Sequence, residues 1–404
     1  MLALGDVIVL PFGLGSVRFD TLGGFLGDLF FSSSGAALLT FLMLPPLLLW
    51  RCFFDDGEAF DEYMEKMRED ELQKKWDAHN KKWGTTTPAP AAALVHSPLP
   101  SSEVRLLNTS PIKTQVTILG DLRTATTVLL TYHDVGMNHR WCFSRLIHGM
   151  NSAGMLGPTV AVVHVDAPGH EDGAATAVGP SMSGVSIESL AQQLHAVVQQ
   201  LDLKRFLGLG IGAGANVLLR FASDHPSQVH GLALMNPAVL EPTRCESLSL
   251  GKVLLYSGAL KMREAAVWEM AKIHFSSRAL ACTALPRAYA KYYRQPLEWD
   301  NKKWYLEAYR SRDALGAARL KALKHVPIVC FSAWESAGLM FVPNRYPEED
   351  TDALVNKLVL EASHPNVSHI RVRGCGAQLA EERAEEILGA IQLFVTGIGL
   401  ELGK

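Results

Sequence analysis

The amino-acid sequence predicts an α/β fold, a mostly parallel sheet covered on both faces by helices, set behind an apolar N-terminal head. Three observations carry that expectation. From Val104 onward, short and nearly continuous apolar runs alternate with stretches of helical periodicity, the pattern of strands buried on both faces. One of those runs, Phe206–Leu209, leads into a turn made almost wholly of glycine and then into a helical stretch. Ahead of them, the first 54 residues contain a long uncharged segment.

That segment runs from Leu29 to Trp50, 22 residues without a charge. As a helix it would reach ~33 Å, close to the hydrocarbon thickness of a bilayer, and Trp50 and Arg51 stand where interfacial anchors belong. Pro45 and Pro46 would kink it. Residues 1–54 are therefore expected to be a membrane-associated helix or, failing that, a segment buried against a partner. Residues 55–83 change character. Asp55, Asp56, Glu58, Asp61 and Glu62 open the stretch and Lys74, Lys75, Lys81 and Lys82 close it, an order that suits the helix dipole. Phe60, Met64, Met67, Trp76 and Trp83 give it one rough apolar stripe. Residues 84–102 are rich in Pro, Ala, Thr and Ser and read as an extended linker. The globular domain is expected over 103–404.

Within it, Val104–Leu107 and Gln115–Leu119 read as a hairpin, and Thr126–Thr131, Thr159–Val165, Gly231–Met235, Pro327–Phe331 and Val367–Val372 as further strands. Trp141–Met150, Ile187–Leu201 and Ala380–Phe394 read as helices; the second has Leu190, Leu194, Val197 and Val198 on one face. Residues 247–323 are helical in pattern, rich in Trp, Tyr and Arg, with no clear strand.

The glycine turn is Gly210-Ile211-Gly212-Ala213-Gly214. A strand, this turn and a helix form the nucleophile elbow of α/β-hydrolases, G-x-S-x-G, in which a strained turn lifts a serine above the sheet. Here the serine's place is taken by Gly212, which accepts the strained backbone and supplies no nucleophile. The helical region 247–323 falls where such enzymes insert a cap. In that fold the triad follows the order nucleophile, acid, histidine. The acid slot after Pro327–Phe331 offers Glu335, and the histidine slot after Val367–Val372 holds Ala377, which has no proton to move. Gly210, Gly212 and Ala215 also match the dinucleotide fingerprint G-x-G-x-x-A, but several strands precede it and the next strand ends in Asn236 rather than an acid. No nucleotide cofactor is expected, and no metal.

The runs Thr131-Tyr-His-Asp-Val-Gly-Met-Asn138, His164-Val-Asp-Ala-Pro-Gly169, Gly210–Ala215 and Phe221–Pro226 resemble the NDRG (N-myc downstream-regulated) family. The likeness covers roughly Val104 to Leu402. It implies an α/β-hydrolase fold that has lost its catalytic residues and serves as a non-enzymatic adaptor. His133 and Asp134 lie in the loop that would hold the oxyanion hole, and Asp166 and His170 follow the next strand. All four are expected at the carboxyl end of the sheet, where open α/β sheets bind ligands. They read as a hydrogen-bonded network pinning loops, with metal binding or general-base work as the alternative. Cys142, near the same rim, falls on an expected helix.

The formal net charge of −3 gives no basic footprint for nucleic acid. Six scattered cysteines without C-x-x-C spacing point to free thiols in a reducing compartment. The combined expectation is a non-catalytic structural or scaffolding protein, membrane-associated, in an organelle such as the mitochondrion. Its partners would be membrane lipid or the protein subunits of a membrane complex. The alternative is a small-ligand-binding protein or unorthodox hydrolase that uses the His133, Asp134, Asp166 and His170 rim.

Overall fold

The computed structural model describes residues 6–9, 16–19, 102–109, 113–174, 185–257, 263–276, 279–280, 288–289, 292–293, 296–333 and 347–403. The chain divides into two compact units, Met1–Arg68 and Glu69–Lys404. In the first, β1 (Asp6–Val9) pairs antiparallel with β2 (Ser16–Phe19), Asp6 opposite Phe19. The sequence reading missed this pair, treating the whole head by its hydropathy. The uncharged run 29–50, the charged stretch 55–83 and the linker up to residue 101 lie outside the described residues. No helix among the described residues is long and apolar enough to cross a membrane, so the membrane helix expected in the head has no structural support.

The second unit is built on one eight-stranded sheet. Its strands are β3 (Ser102–Leu107), β4 (Thr114–Leu119), β5 (Thr127–Tyr132), β6 (Val160–Val165), β7 (Phe206–Ile211), β8 (Val229–Met235), β9 (Ile328–Ala333) and β10 (Val367–Val372). They lie in the order β10-β9-β8-β7-β5-β6-β4-β3. β3 and β4 form the expected antiparallel hairpin, β4 joins β6 antiparallel, and every pairing from β6 to β10 is parallel. Each residue of β5, β6, β7 and β9 is buried, which explains their continuous apolar character: both faces are covered. β3 begins at Ser102, one residue inside the segment read as linker.

The helices are α1 (His139–Ser152), α2 (Ile187–Gln200), α3 (Ala213–Asp224), α4 (Arg244–Ser257), α5 (Arg263–His274), α6 (Pro296–Arg310), α7 (Ala317–Ala322), α8 (Pro347–Asn356), α9 (Leu379–Glu382) and α10 (Ala384–Gly397). Two glycines show that the sheet is covered on both sides. A Cβ on Gly208 would meet Leu232 and Leu218 of α3, whereas one on Gly231 would meet Phe394 and Ile398 at the end of α10. Leu232 and Gly231 are consecutive on β8 and point to opposite faces, so α3 and α10 lie on opposite sides. α1 starts two residues before its expected position because Asn138 caps it, its side chain accepting from the Arg140 and Trp141 N–H groups. The single helix expected over 380–394 is split at Arg383 into α9 and α10. α8, which packs on β9 and β10, had no expectation attached to it.

The cap expected over 247–323 contains α4, α5 and α6. α7, at the end of that range, packs instead with α3, where Arg319 binds Glu188 of α2 at 2.7 Å and Asp224 of α3 at 3.1 Å. Arg312 fastens α4 beneath the end of α6: its Nη1 lies 2.8 Å from Glu246 and its guanidinium 4.2 Å over the Tyr309 ring.

Two glycines separate crowding from mere flexibility. A Cβ on Gly214, in the first turn of α3, would fall against the Tyr132 carbonyl oxygen and 2.6 Å from that of His133, while one on Gly389 of α10 meets nothing within 4 Å. Gly214→Ala is expected to lower the unfolding free energy in urea by about 1–3 kcal/mol through overpacking. Gly389→Ala should raise it by roughly 0.5–1 kcal/mol through helix propensity. Equal effects in the two titrations would contradict this packing of α3 against β5.

Candidate functional site

The site is set by the turn from β7 into α3. Gly212 takes φ 53° and ψ −113°, a strained backbone that places this residue above the carboxyl end of the sheet. Its N–H donates to the Met235 carbonyl at 2.9 Å. A Cβ on Gly210 would lie 2.6 Å from Ala215 Cα, so the strand and the helix meet too closely there for any side chain.

The loop after β5 runs directly over this turn. Asp134 Oδ1 accepts from its neighbour Val135 N–H at 2.8 Å and from Ala213 N–H at 2.9 Å. In an α/β-hydrolase the oxyanion hole is formed by the N–H after the nucleophile and one from the loop after the corresponding strand. Ala213 and Val135 supply those two groups here, and the chain's own carboxylate occupies them. The same carboxylate stands where a nucleophile would rise: a Cβ built on Gly212 comes within 2.5 Å of Asp134 Oδ2. Glycine at 212 is thus required twice, by the backbone and by Asp134. Burial pushes the Asp134 carboxyl up to about 6, against the two N–H donors, which favour its charged form.

The remaining rim residues are held in an interior network. His133 Nδ1 donates to the Asp134 carbonyl at 2.7 Å, and its Nε2 accepts from Ala167 N–H at 2.8 Å. That pattern fixes the neutral ring, and burial pushes its pKa down. Asp166 accepts from His139 N–H at 2.8 Å and from His139 Nδ1 at 2.7 Å. Burial alone would raise its carboxyl; the His139 ring and N–H outweigh burial and hold it below the usual carboxylate range. His170 sits among His133, Trp304 and Tyr305, its ring centroid 5.3 Å from each of the last two. Burial lowers its pKa to about 3. Exposure is 0% for His133 and Asp166 and 1% for His170. Of the four, Asp134 lines the cavity above Gly212, and His133, Asp166 and His170 do not line it. Among the described residues, no group of three or more His, Cys, Asp or Glu is arranged to hold a metal ion. Cys142 is buried, and burial drives its thiol far above the ordinary value, leaving it unreactive.

The other slots complete the floor. Ala377 follows β10, and its carbonyl accepts from Asn236 Nδ2 at 2.9 Å. Asn236, with φ 49°, also accepts from Ala333 N–H at 2.8 Å, so it joins the ends of β8 and β9 to the loop after β10. Glu335 lies outside the described residues. Above this floor is a cavity of about 120 Å³ to which α4 contributes Glu246, Ser249 and Leu250, α5 Lys272 and Ile273, and α6 Tyr309.

Sequence reading also missed a Ser–His–Asp line. Ser332 Oγ lies 2.7 Å from His369 Nε2, and His369 Nδ1 lies 2.9 Å from Asp352 on α8. Ser332 is on β9 and fully buried, and Asp352 is shared with Arg371 at 2.9 Å. This line binds α8 to the sheet edge; its serine is not accessible to a substrate. Residues from two strands and a distant helix carry no motif that would announce it.

A profile of the Ndr family matches residues 107–401 of the chain. The chain belongs to the Ndr family. It is 47% identical over 121 residues to protein NDRG1 of Xenopus tropicalis, a match covering 30% of each chain. It is 28% identical over 286 residues to protein NDRG3 of Xenopus laevis, covering 70% of this chain and 72% of that one. The chain thus spans about a third of the length of the first of these Ndr relatives. Among solved structures it is similar to a thermophilic esterase from Thermogutta terrifontis, with TM-score 0.56, 13% identity and coverage of 74% and 99% of the two chains. It is likewise similar to a bacterial membrane phospholipase A, with TM-score 0.54, 16% identity and coverage of 89% and 99%. These likenesses establish the α/β-hydrolase fold.

The Asp134 environment has a pH signature. Its folded pKa, about 6, lies above the ordinary 3.8, so its contribution to stability is fully present below pH ~4 and is lost as pH rises through 6. Asp134→Asn keeps the acceptor for both N–H groups and removes the charge. The variant should be more stable than the parent at pH 7.5 by about 2–3 kcal/mol, a gain that shrinks to nothing near pH 4. Urea titrations at the two pH values check this; a gain independent of pH would mean that Asp134 is not a buried charge.

Proposed function

We propose that this chain is a non-catalytic structural or scaffolding protein whose hydrolase core is retained as a framework. The observation that carries the reading is the Asp134 carboxylate seated on the Ala213 and Val135 N–H groups. An oxyanion hole works by holding donors ready for charge that appears only in the transition state. Here both donors already bind a ground-state carboxylate, so nothing is left to be gained when charge develops. Removing one such donor from a hydrolase costs roughly 10²–10³ in rate, and this chain also has glycine at 212 and alanine at 377. The fold shared with esterases supports the framework and says nothing for turnover.

The attachment of this framework to a membrane belongs to the same proposal and rests on the sequence alone. The 22-residue uncharged run 29–50 needs cover from lipid or from a protein partner. With membrane attachment, the full chain stays with membranes through a carbonate wash, and a chain lacking residues 1–54 is released as a folded domain. A full chain that washes off with an intact partner complex would replace the membrane by a protein surface in this proposal.

The non-catalytic reading is tested with a fluorophosphonate probe and short-chain esters. The protein should show no labelling and no turnover above a heat-treated control. Gly212→Ser with Ala377→His should stay unlabelled as long as Asp134 occupies the hole, and labelling should appear only when Asp134→Gly is added. Stoichiometric labelling of the unmodified chain would overturn the proposal.

A further inference from the structure

The occupied oxyanion hole accounts for one oxygen of Asp134; the other is unexplained. Oδ1 has both N–H donors. Oδ2 receives no hydrogen bond among the described residues, and the single basic atom within 4.0 Å of it there is His274 Nδ1, at 3.7 Å. Burial holds His274 neutral, its pKa lowered to about 3, so it offers no countercharge. Asp134 is 6% exposed, and what exposure it has is to the cavity between the sheet and the cap. A buried carboxylate with an unused oxygen is costly, and among the described residues nothing covers it.

Among the described residues, the other charges facing the cavity are Glu246, Lys272 and Asp350. Glu246 is engaged by Arg312, Nη1 to Oε1 at 2.8 Å and Nη2 to Oε2 at 3.0 Å. Lys272 Nζ is 3.0 Å from Glu269, and Asp350 adds a further carboxylate to the wall. An anion entering here would be repelled by the Asp134 carboxylate. A cation would meet an open oxygen on Asp134. Between these groups the walls are apolar, from Val135, Ala238, Leu250 and Ile273. A cavity of ~150 Å³ holds a benzene ring, so the volume of about 120 Å³ here suits about four to six heavy atoms.

We propose that the cavity above Gly212 is a binding site for a small organic cation, a primary ammonium on a short apolar stem, with its charged head on Asp134 Oδ2 and its stem against Val135 and Leu250. The degenerate active site would then be a receptor pocket of reversed polarity. The hole that in an esterase attracts negative charge has been filled from within, and the filling group turns a carboxylate toward the ligand. This goes beyond the non-catalytic reading and does not depend on what the head of the chain binds.

The experiment uses the purified full chain and three isosteric probes: n-butylammonium, 1-butanol and butyrate. Binding is read by calorimetry and by the rise in melting temperature, over concentrations up to about 10 mM, the range set by the ligand efficiency of such small molecules. Saturable stabilisation by n-butylammonium, absent with butyrate and much weaker with 1-butanol, is expected. Asp134→Asn should weaken it by roughly tenfold or more, the value of one charge-assisted hydrogen bond. Ala377→Leu, which grows into the cavity from the loop after β10, should abolish it while the fold is retained. Should Asp134→Asn fail to fold, the alanine variant decides. No saturable effect of n-butylammonium on the parent chain, equal effects of all three probes, or undiminished binding in the folded Ala377→Leu variant would each overturn the proposal.

Discussion

Much of the upper face of this domain depends on one carboxylate. Asp134 is delivered by the loop after β5, and its Oδ1 binds the first N–H of α3 and its own neighbour's N–H. Hydrogen bonds to a charged acceptor are worth roughly 1.5–3 kcal/mol each, but burial of the charge outweighs them, as the raised pKa records. The carboxylate joins the elbow to the oxyanion loop and forbids a side chain at 212. The loop is then held from outside: Tyr305 donates from α6 to the His133 carbonyl at 3.0 Å, and Tyr289 to the Gly136 carbonyl at 3.1 Å. Two cap tyrosines therefore clamp the backbone on either side of Asp134.

Around that centre the polar interior is organised for position. His133 spans from the Asp134 carbonyl to Ala167 N–H, Asp166 holds the start of α1 through His139, and Asn236 ties three strand ends together. Apart from the local bond of His133 to its neighbour Asp134, these bonds join different elements and so fix one loop against another. Asn301 extends the pattern from α6 to the Gly169 carbonyl at 2.9 Å. The cap is in this way bonded to loops at the carboxyl end of the sheet, and the cavity beneath it is small and bounded.

The fold was legible because its signals were redundant. Continuous apolar runs marked β5, β6 and β7, and the glycines at 210, 212 and 214 marked the elbow without any knowledge of what packs above it. The sequence also placed Asp134 in the right loop, yet left its role open between loop pinning and ligand chemistry. Spacing along a chain cannot reveal that Oδ1 reaches Ala213, which is 79 positions away. The same limit hid the Ser332–His369–Asp352 line and the contributions of Glu246, Lys272 and Tyr309 to the cavity. β1 and β2 were hidden for a different reason: hydropathy was read over the whole head, and two four-residue strands vanish in such a window.

The contact between Asp134 and the space above Gly212 also couples the two positions. With the carboxylate in place, a serine arriving at 212 would collide with it, and with the serine in place the carboxylate could not have settled. The two states exclude each other, so no single substitution leads from one to the other without a poorly packed intermediate. A side chain at 212 and a carboxylate in the hole are thus alternatives, and a change at either position alone leaves the two in conflict or the hole unfilled.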